Sequence, residues 1–93
     1  MDFEWDEQKA NSNYLKHRVT FIEAKTVFND PFSITVYDPE HSSKENRFID
    51  IGMSSSGHLI VVSYTERNSK IRIINCRRAT KKEREVYEEG IIN

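Results

Sequence analysis

Arg67, Arg72, Arg77 and Arg78 share the stretch "TERNSKIRIINCRRATKKEREVYEE" with Lys81, Lys82, Glu83, Arg84 and Tyr87. A guanidinium is planar, stays charged and grips phosphate through two parallel N–H bonds, so arginines at this density suggest phosphate chemistry. Acid–base candidates are Glu83, Tyr87 and, from the other end of the chain, His17, imidazole being suited to proton transfer at neutral pH. Cleavage of RNA needs little more than such a set. RNA brings its own nucleophile, the 2′-hydroxyl, so a protein has only four tasks. It must hold that hydroxyl in line with the phosphorus, help its proton leave, stabilise charge on the phosphoryl oxygens and assist the departing 5′-oxygen. Arg67, Arg77, Arg78, Tyr87, Glu83 and His17 are therefore the catalytic candidates, and Arg72, Lys81, Lys82 and Arg84 the RNA-binding ones.

Each has a plain structural alternative. Glu83 lies three residues after Thr80 and completes a capping box; Tyr87 fits a half-buried helix aromatic. His17 at a helix end is favourable to the dipole, and Lys81, Lys82 and Arg84 read as a solvated helix face. Arg77 and Arg78 could neutralise carbonyls at a sheet end or pair with Glu83. Strict alternation places Arg72 and Arg78 on one face of their strand and Arg77 on the other, subject to a twist or bulge. Arg67 falls at the opposite end of that strand from Arg77, so a groove along the strand, rather than one ring of arginines, would be needed to use both.

Other chemistries lack their parts. There is no Gly-x-Ser-x-Gly elbow, no Gly-rich phosphate loop and no Cys–His pairing with nucleophile or zinc spacing among the single cysteine and three histidines. No metal or cofactor is expected. Cys76, in an apolar run, is expected to be a buried, inert thiol. No segment approaches the roughly 20 apolar residues of a membrane span, and "MDFEWDEQ" opposes a signal peptide's basic opening, so a cytoplasmic location is expected. The 93 residues fit one domain of 1–93, and their net charge of −1 hides an asymmetry. Residues 1–46 carry five Lys or Arg against nine Asp or Glu, and residues 47–93 carry nine against six. Such local bias is the electrostatic footprint of a nucleic-acid contact, or of a solvated helix.

The elements that must position these residues have legible punctuation. Asp6 is an N-cap for a helix running to Lys16 or His17, with "FEWD" before it as a short edge strand or staple. "VTFIEAKTVFNDP" reads as a second helix with Thr20 and Glu23 as its capping box and Asp30-Pro31 as its stop. "SITVY", "RFIDIGM", "HLIVVSYTE" and "KIRIINCR" read as strands, the last two central because apolar residues occupy both faces. "ATKKEREVYEE" is the final helix. The expected fold is α+β: two N-terminal helices, a four-stranded antiparallel sheet and a C-terminal helix.

Taken in order, "FEWDEQKANSNYLKHRVTF", "EAKTVFNDP", "DPEHS", "RFIDIG", "VVSYTER" and "IRIINCRRATKKEREVYEE" resemble the BrnT toxins of bacterial type II toxin–antitoxin systems. The likeness covers nearly the whole chain. It implies a RelE-like ribonuclease fold, growth arrest through RNA cleavage, and neutralisation by a BrnA-like ribbon-helix-helix antitoxin through which operator DNA is bound indirectly. Trp5, Asp6, Lys9, Asn13, Lys16 and His17 match the family's first helix, but Arg18 stands where the family has glycine, and a side chain there resists positive φ. Glu66, Arg67, Arg72, Arg77, Arg78, Thr80, Glu83, Arg84, Tyr87 and Glu88 match the later motifs. A second reading is a non-catalytic basic module that docks nucleic acid or an acidic protein without cleaving it.

Overall fold

The structure, a computed structural model, describes residues 1–92. Strand β1 (Asp2–Glu4) leads into helix α1 (Glu7–His17), a short helix α2 (Phe21–Lys25) and a 3-10 turn at Thr26–Asn29. Strands β2 (Ile34–Tyr37), β3 (Arg47–Met53), β4 (Leu59–Arg67) and β5 (Lys70–Arg78) follow, then helix α3 (Lys81–Ile92). The sheet order is β1-β5-β4-β3-β2. Strands β2 to β5 are antiparallel neighbours, whereas β1 runs parallel to the start of β5 with Glu4 opposite Arg72.

Helices cover both faces. Ile60, Val62 and Tyr64 of β4 point towards Val19, Phe21, Ala24 and Val27, while the alternate residues Leu59 and Val61 pack with Ile51 and with Tyr87 of α3. Both sets are almost wholly shielded, and hydrophobic burial on the two sides of one strand is what fixes β4 at the centre. The 3-10 turn lies close on β3. A Cβ added to Gly52 would stand 2.7 Å from Val27 Cγ1 and 3.0 Å from Ser33 Cβ, so this contact requires glycine.

Three expectations need correction. The sheet is five-stranded and mixed, not four-stranded and antiparallel: "FEW" is short enough to read as a staple, but its first half adds to the β5 edge as a parallel strand. The expected second helix is only five residues of α-helix before tightening to 3-10. The Thr26 hydroxyl donates to the Glu23 carbonyl at 2.7 Å, the local back-bond by which threonine disturbs a regular helix. At the exit of α1, Arg18 does adopt the left-handed conformation, φ 59° and ψ 29°, with its N–H bonded to the Tyr14 carbonyl and its guanidinium 5.4 Å from the Tyr14 ring centre. The turn that glycine makes freely is here made by an arginine at a backbone cost of about 1–2 kcal/mol.

Candidate nucleic-acid interface

The decisive local feature is a bulge in β5. Ser63 stands opposite Asn75 but Tyr64 stands opposite Ile73, which leaves Ile74 as an extra residue. The alternation is thereby reset halfway along the strand. Arg72 pairs with Thr65, Asn75 with Ser63 and Arg77 with Val61, so all three share the face that α3 covers at one end. Arg78 pairs with Ile60 and belongs to the opposite face, with α1 and α2. Uninterrupted alternation would instead join Arg72 with Arg78; the bulge overturns that expectation.

At the α3 end, Arg77 makes a forked pair with Glu83, Nη1 to Oε1 at 2.7 Å and Nη2 to Oε2 at 2.9 Å. Glu83 also accepts the Thr80 N–H at 2.8 Å, and its own N–H donates to the Thr80 hydroxyl at 3.2 Å, which closes the capping box. The Arg77 bonds, ahead of burial acting the other way and with help from Thr80, hold the Glu83 carboxyl down to about 2. Glu83 is thus a permanent anion that fixes the angle of Arg77, and a weak proton acceptor at neutral pH.

From Arg72, where β1 stops pairing, to Arg77, the edge of β5 has no neighbouring strand among the described residues. A polar groove of about 700 Å³ runs there against α1, lined among others by Lys9, Lys16, His17, Asn75 and Arg77. Asn13 forms its floor. This residue is 7% exposed; its Oδ1 accepts the Cys76 N–H at 3.0 Å, and its Nδ2 donates to the Val19 carbonyl at 3.2 Å. The clamp satisfies a strand N–H that has no neighbouring strand, and it seats the last turn of α1, with His17, beside Arg77. Burial pushes the Cys76 thiol up to about 11, in keeping with an unreactive core cysteine.

At the other end of β5, Arg67 closes a two-residue turn whose Asn68 and Ser69 both have positive φ, and it forms a forked pair with Glu45. Arg72 reaches Glu4 more loosely, at 3.4 Å. The Glu45 carboxyl is lowered first by its bond from Arg67 and further by the nearby charges of Arg67, Arg47 and Arg72. Arg67, the last residue of β4, pairs with Lys70 at the start of β5, so it lies about 23 Å along the strand direction from Arg77.

The remaining candidates are dispersed. Arg78 is exposed, and its charge acts on Glu23 of α2. Tyr87 is 4% exposed and donates its phenol to Asp30 at 2.6 Å; burial, then Asp30, pushes its hydroxyl up to about 12. That bond fastens α3 to the loop before β2. Lys81, Lys82 and Arg84 are exposed on the first turns of α3. Among the described residues no three His, Cys, Asp or Glu side chains converge as a metal-ligand set. The sequence alone does not place Lys9, Lys16 and Asn75 at one site. Lys9 and the buried Asn13 did recur with His17 at helical spacing, a stripe that signals a shared surface but not which strand it meets.

The family described as "Ribonuclease toxin, BrnT, of type II toxin-antitoxin system" matches residues 5–83. Among solved structures, the Brucella abortus ribonuclease toxin BrnT has the same fold at a TM-score of 0.64, with 23% identity over 87% of this chain and 99% of that one. No curated protein sequence matches the chain. A family match spanning most of the sequence, including β5 and the start of α3, settles the affiliation: the chain belongs to the BrnT family of ribonuclease toxins from type II toxin–antitoxin systems.

Proposed function

We propose that this protein is a metal-independent endoribonuclease that arrests growth and is held inactive by a BrnA-type ribbon-helix-helix antitoxin. The observation that carries the reading is the groove in which His17 of α1 and the braced Arg77 of β5 line one polar surface. RNA lies along the free edge and open face of β5. Arg77, held by Glu83, stabilises charge on the phosphoryl oxygens without having to reorganise, which is where such a donor is most effective. His17 exchanges the proton of the 2′-hydroxyl or of the leaving 5′-oxygen. Arg72 holds a phosphate farther along the strand, and the charges of Arg67, Lys81, Lys82 and Arg84 draw the polyanion inward. Glu83 and Tyr87 act by positioning, through Arg77 and through the seat of α3. The products are a 2′,3′-cyclic phosphate and a 5′-hydroxyl, since the nucleophile belongs to the RNA. An acidic amphipathic segment of the antitoxin fits the same basic groove.

The test is cleavage of RNA by purified protein in EDTA, with the ends identified chemically. Cyclic phosphate and 5′-hydroxyl ends are expected. A folded sample that leaves RNA intact, with and without ribosomes, favours the non-catalytic binding module.

A further inference from the structure

On the face shared by Arg72 and Arg77, away from α3, three adjacent strands present Arg47, Thr65 and Arg72 side by side. Directly opposed residues on neighbouring strands have Cβ atoms about 4.5–5.5 Å apart, so two guanidinium stems flank one hydroxyl. Thr65 is 0% exposed, and among the described residues its Oγ1 has no hydrogen-bond partner. Its neighbours on that face are Arg47 and Arg72 across the strands and Ser63 and Arg67 along its own. A buried hydroxyl without a partner is costly and uncommon in a native fold, more so in a position that valine fills with nearly the same shape. Arg47 is half-buried and, among the described residues, its guanidinium makes no ion pair or side-chain hydrogen bond. Arg72 has only the long contact to Glu4. Arg67, in contrast, is fully engaged by Glu45.

We infer that Arg47, Thr65 and Arg72 form a phosphate subsite for the RNA backbone, distant from Arg77 and separate from the groove of His17. The inference rests on the ribonuclease reading and adds to it where a flanking nucleotide is held. A phosphate draws the two guanidiniums outward onto its oxygens, and the Thr65 hydroxyl beneath them donates to it. An unpaired buried hydroxyl costs stability, and its bond to the phosphate offsets that cost. Charge at this end supports the assignment: Arg47, Arg67, Lys70 and Arg72 share the face, and the carboxylates paired there are Glu4 and Glu45.

The test measures binding of a short mixed-sequence 2′-O-methyl RNA, which has no free 2′-hydroxyl to attack, as a function of salt. Thr65→Val should raise the melting temperature by about 4 °C or more while weakening RNA binding about tenfold, with the salt slope unchanged. Arg47→Gln should weaken binding by a similar factor and lower the log–log salt slope by about 0.7, the value of one released counterion on a single strand. A merely structural threonine gives the rise in melting temperature without the loss of binding. Wild-type protein that cleaves unmodified RNA, with both variants binding the methylated RNA as it does, overturns the subsite alone. Wild-type protein that neither binds nor cleaves overturns the ribonuclease reading with it.

Discussion

The chain carries the Thr-x-x-Glu motif twice, at Thr20–Glu23 and Thr80–Glu83, and the two serve different ends. At α3 both reciprocal bonds form, and the Glu83 carboxylate also grips Arg77. At α2 the Glu23 N–H bonds to Thr20 Oγ1 at 3.0 Å, but the carboxylate turns away, to the Ser54 hydroxyl at 2.6 Å and His58 Nδ1 at 2.8 Å. Chain geometry accounts for the difference. Helix α3 starts three residues past Arg78, so the strand end itself delivers an arginine to the box. Helix α2 packs on the turn between β3 and β4, whose polar groups compete for the carboxylate. The adjacent arginines follow suit: Arg77 forks onto Glu83, whereas Arg78, on the other face, influences Glu23 only through space. Identical local motifs thus yield one rigid brace for a strand-end arginine and one tie between loop and helix.

The largest consequence concerns catalysis. Arg77→Ala should reduce the RNA cleavage rate by about 10²-fold or more, as loss of a preorganised donor to transition-state charge does. Arg78→Ala should cost no more than about tenfold. The opposite ranking, in two folded variants, would move the reacting phosphate out of the groove to the face of the sheet that carries Arg78.

Stability separates the two glutamates more finely. Glu83→Ala and Glu23→Ala should each cost about 1–2 kcal/mol, one through a cap and a forked pair, the other through the buried Ser54 hydroxyl. Double-mutant cycles from denaturant unfolding then divide them. Coupling of Arg77 with Glu83 should be about 1 kcal/mol, and that of Arg78 with Glu23 within about 0.5 kcal/mol. Equal couplings would mean that Arg78 is held as firmly as Arg77. Only Glu83→Ala should also slow cleavage, because it alone unbraces Arg77.

What could be read from the sequence follows from how far each signal reaches along the chain. The caps of all three helices, the alternation of β2 and β3 and the two-sided apolar run of β4 are written within a few residues. So were the residue types of the candidate site. The bulge at Ile74 was not: "IRIINC" has no glycine or proline to mark it, and the irregularity belongs to a strand end whose Cys76 N–H goes to Asn13, 63 residues away. With the bulge unseen, Arg77 and Arg78 could be named but assigned to the wrong faces. The parallel β1 was ambiguous for a related reason, since three residues are too few for alternation to declare a partner. Arg47 and Thr65 looked like ordinary strand residues until the register set them beside Arg72.

Acid titration gives the smallest and most selective contrast. The Glu83 carboxyl is held near 2 in the fold against an ordinary 4.5, chiefly by the bond from Arg77. A group whose pKa is depressed on folding adds stability that is complete above its unfolded value and is lost as pH falls through the folded one. The contribution of Glu83 should therefore fade as pH falls from 4.5 towards about 2. Burial raises the Glu23 carboxyl and is outweighed by the bonds from Ser54 and His58, so its change has the same sign. It should be smaller, because at Glu23 burial is the largest single influence and opposes the bonds. Thermal melting across this range should show Glu83→Gln flattening the acid limb more than Glu23→Gln does. If Glu23→Gln flattens it more, the loop tie, and not the Arg77 brace, is the stronger electrostatic contact of the two.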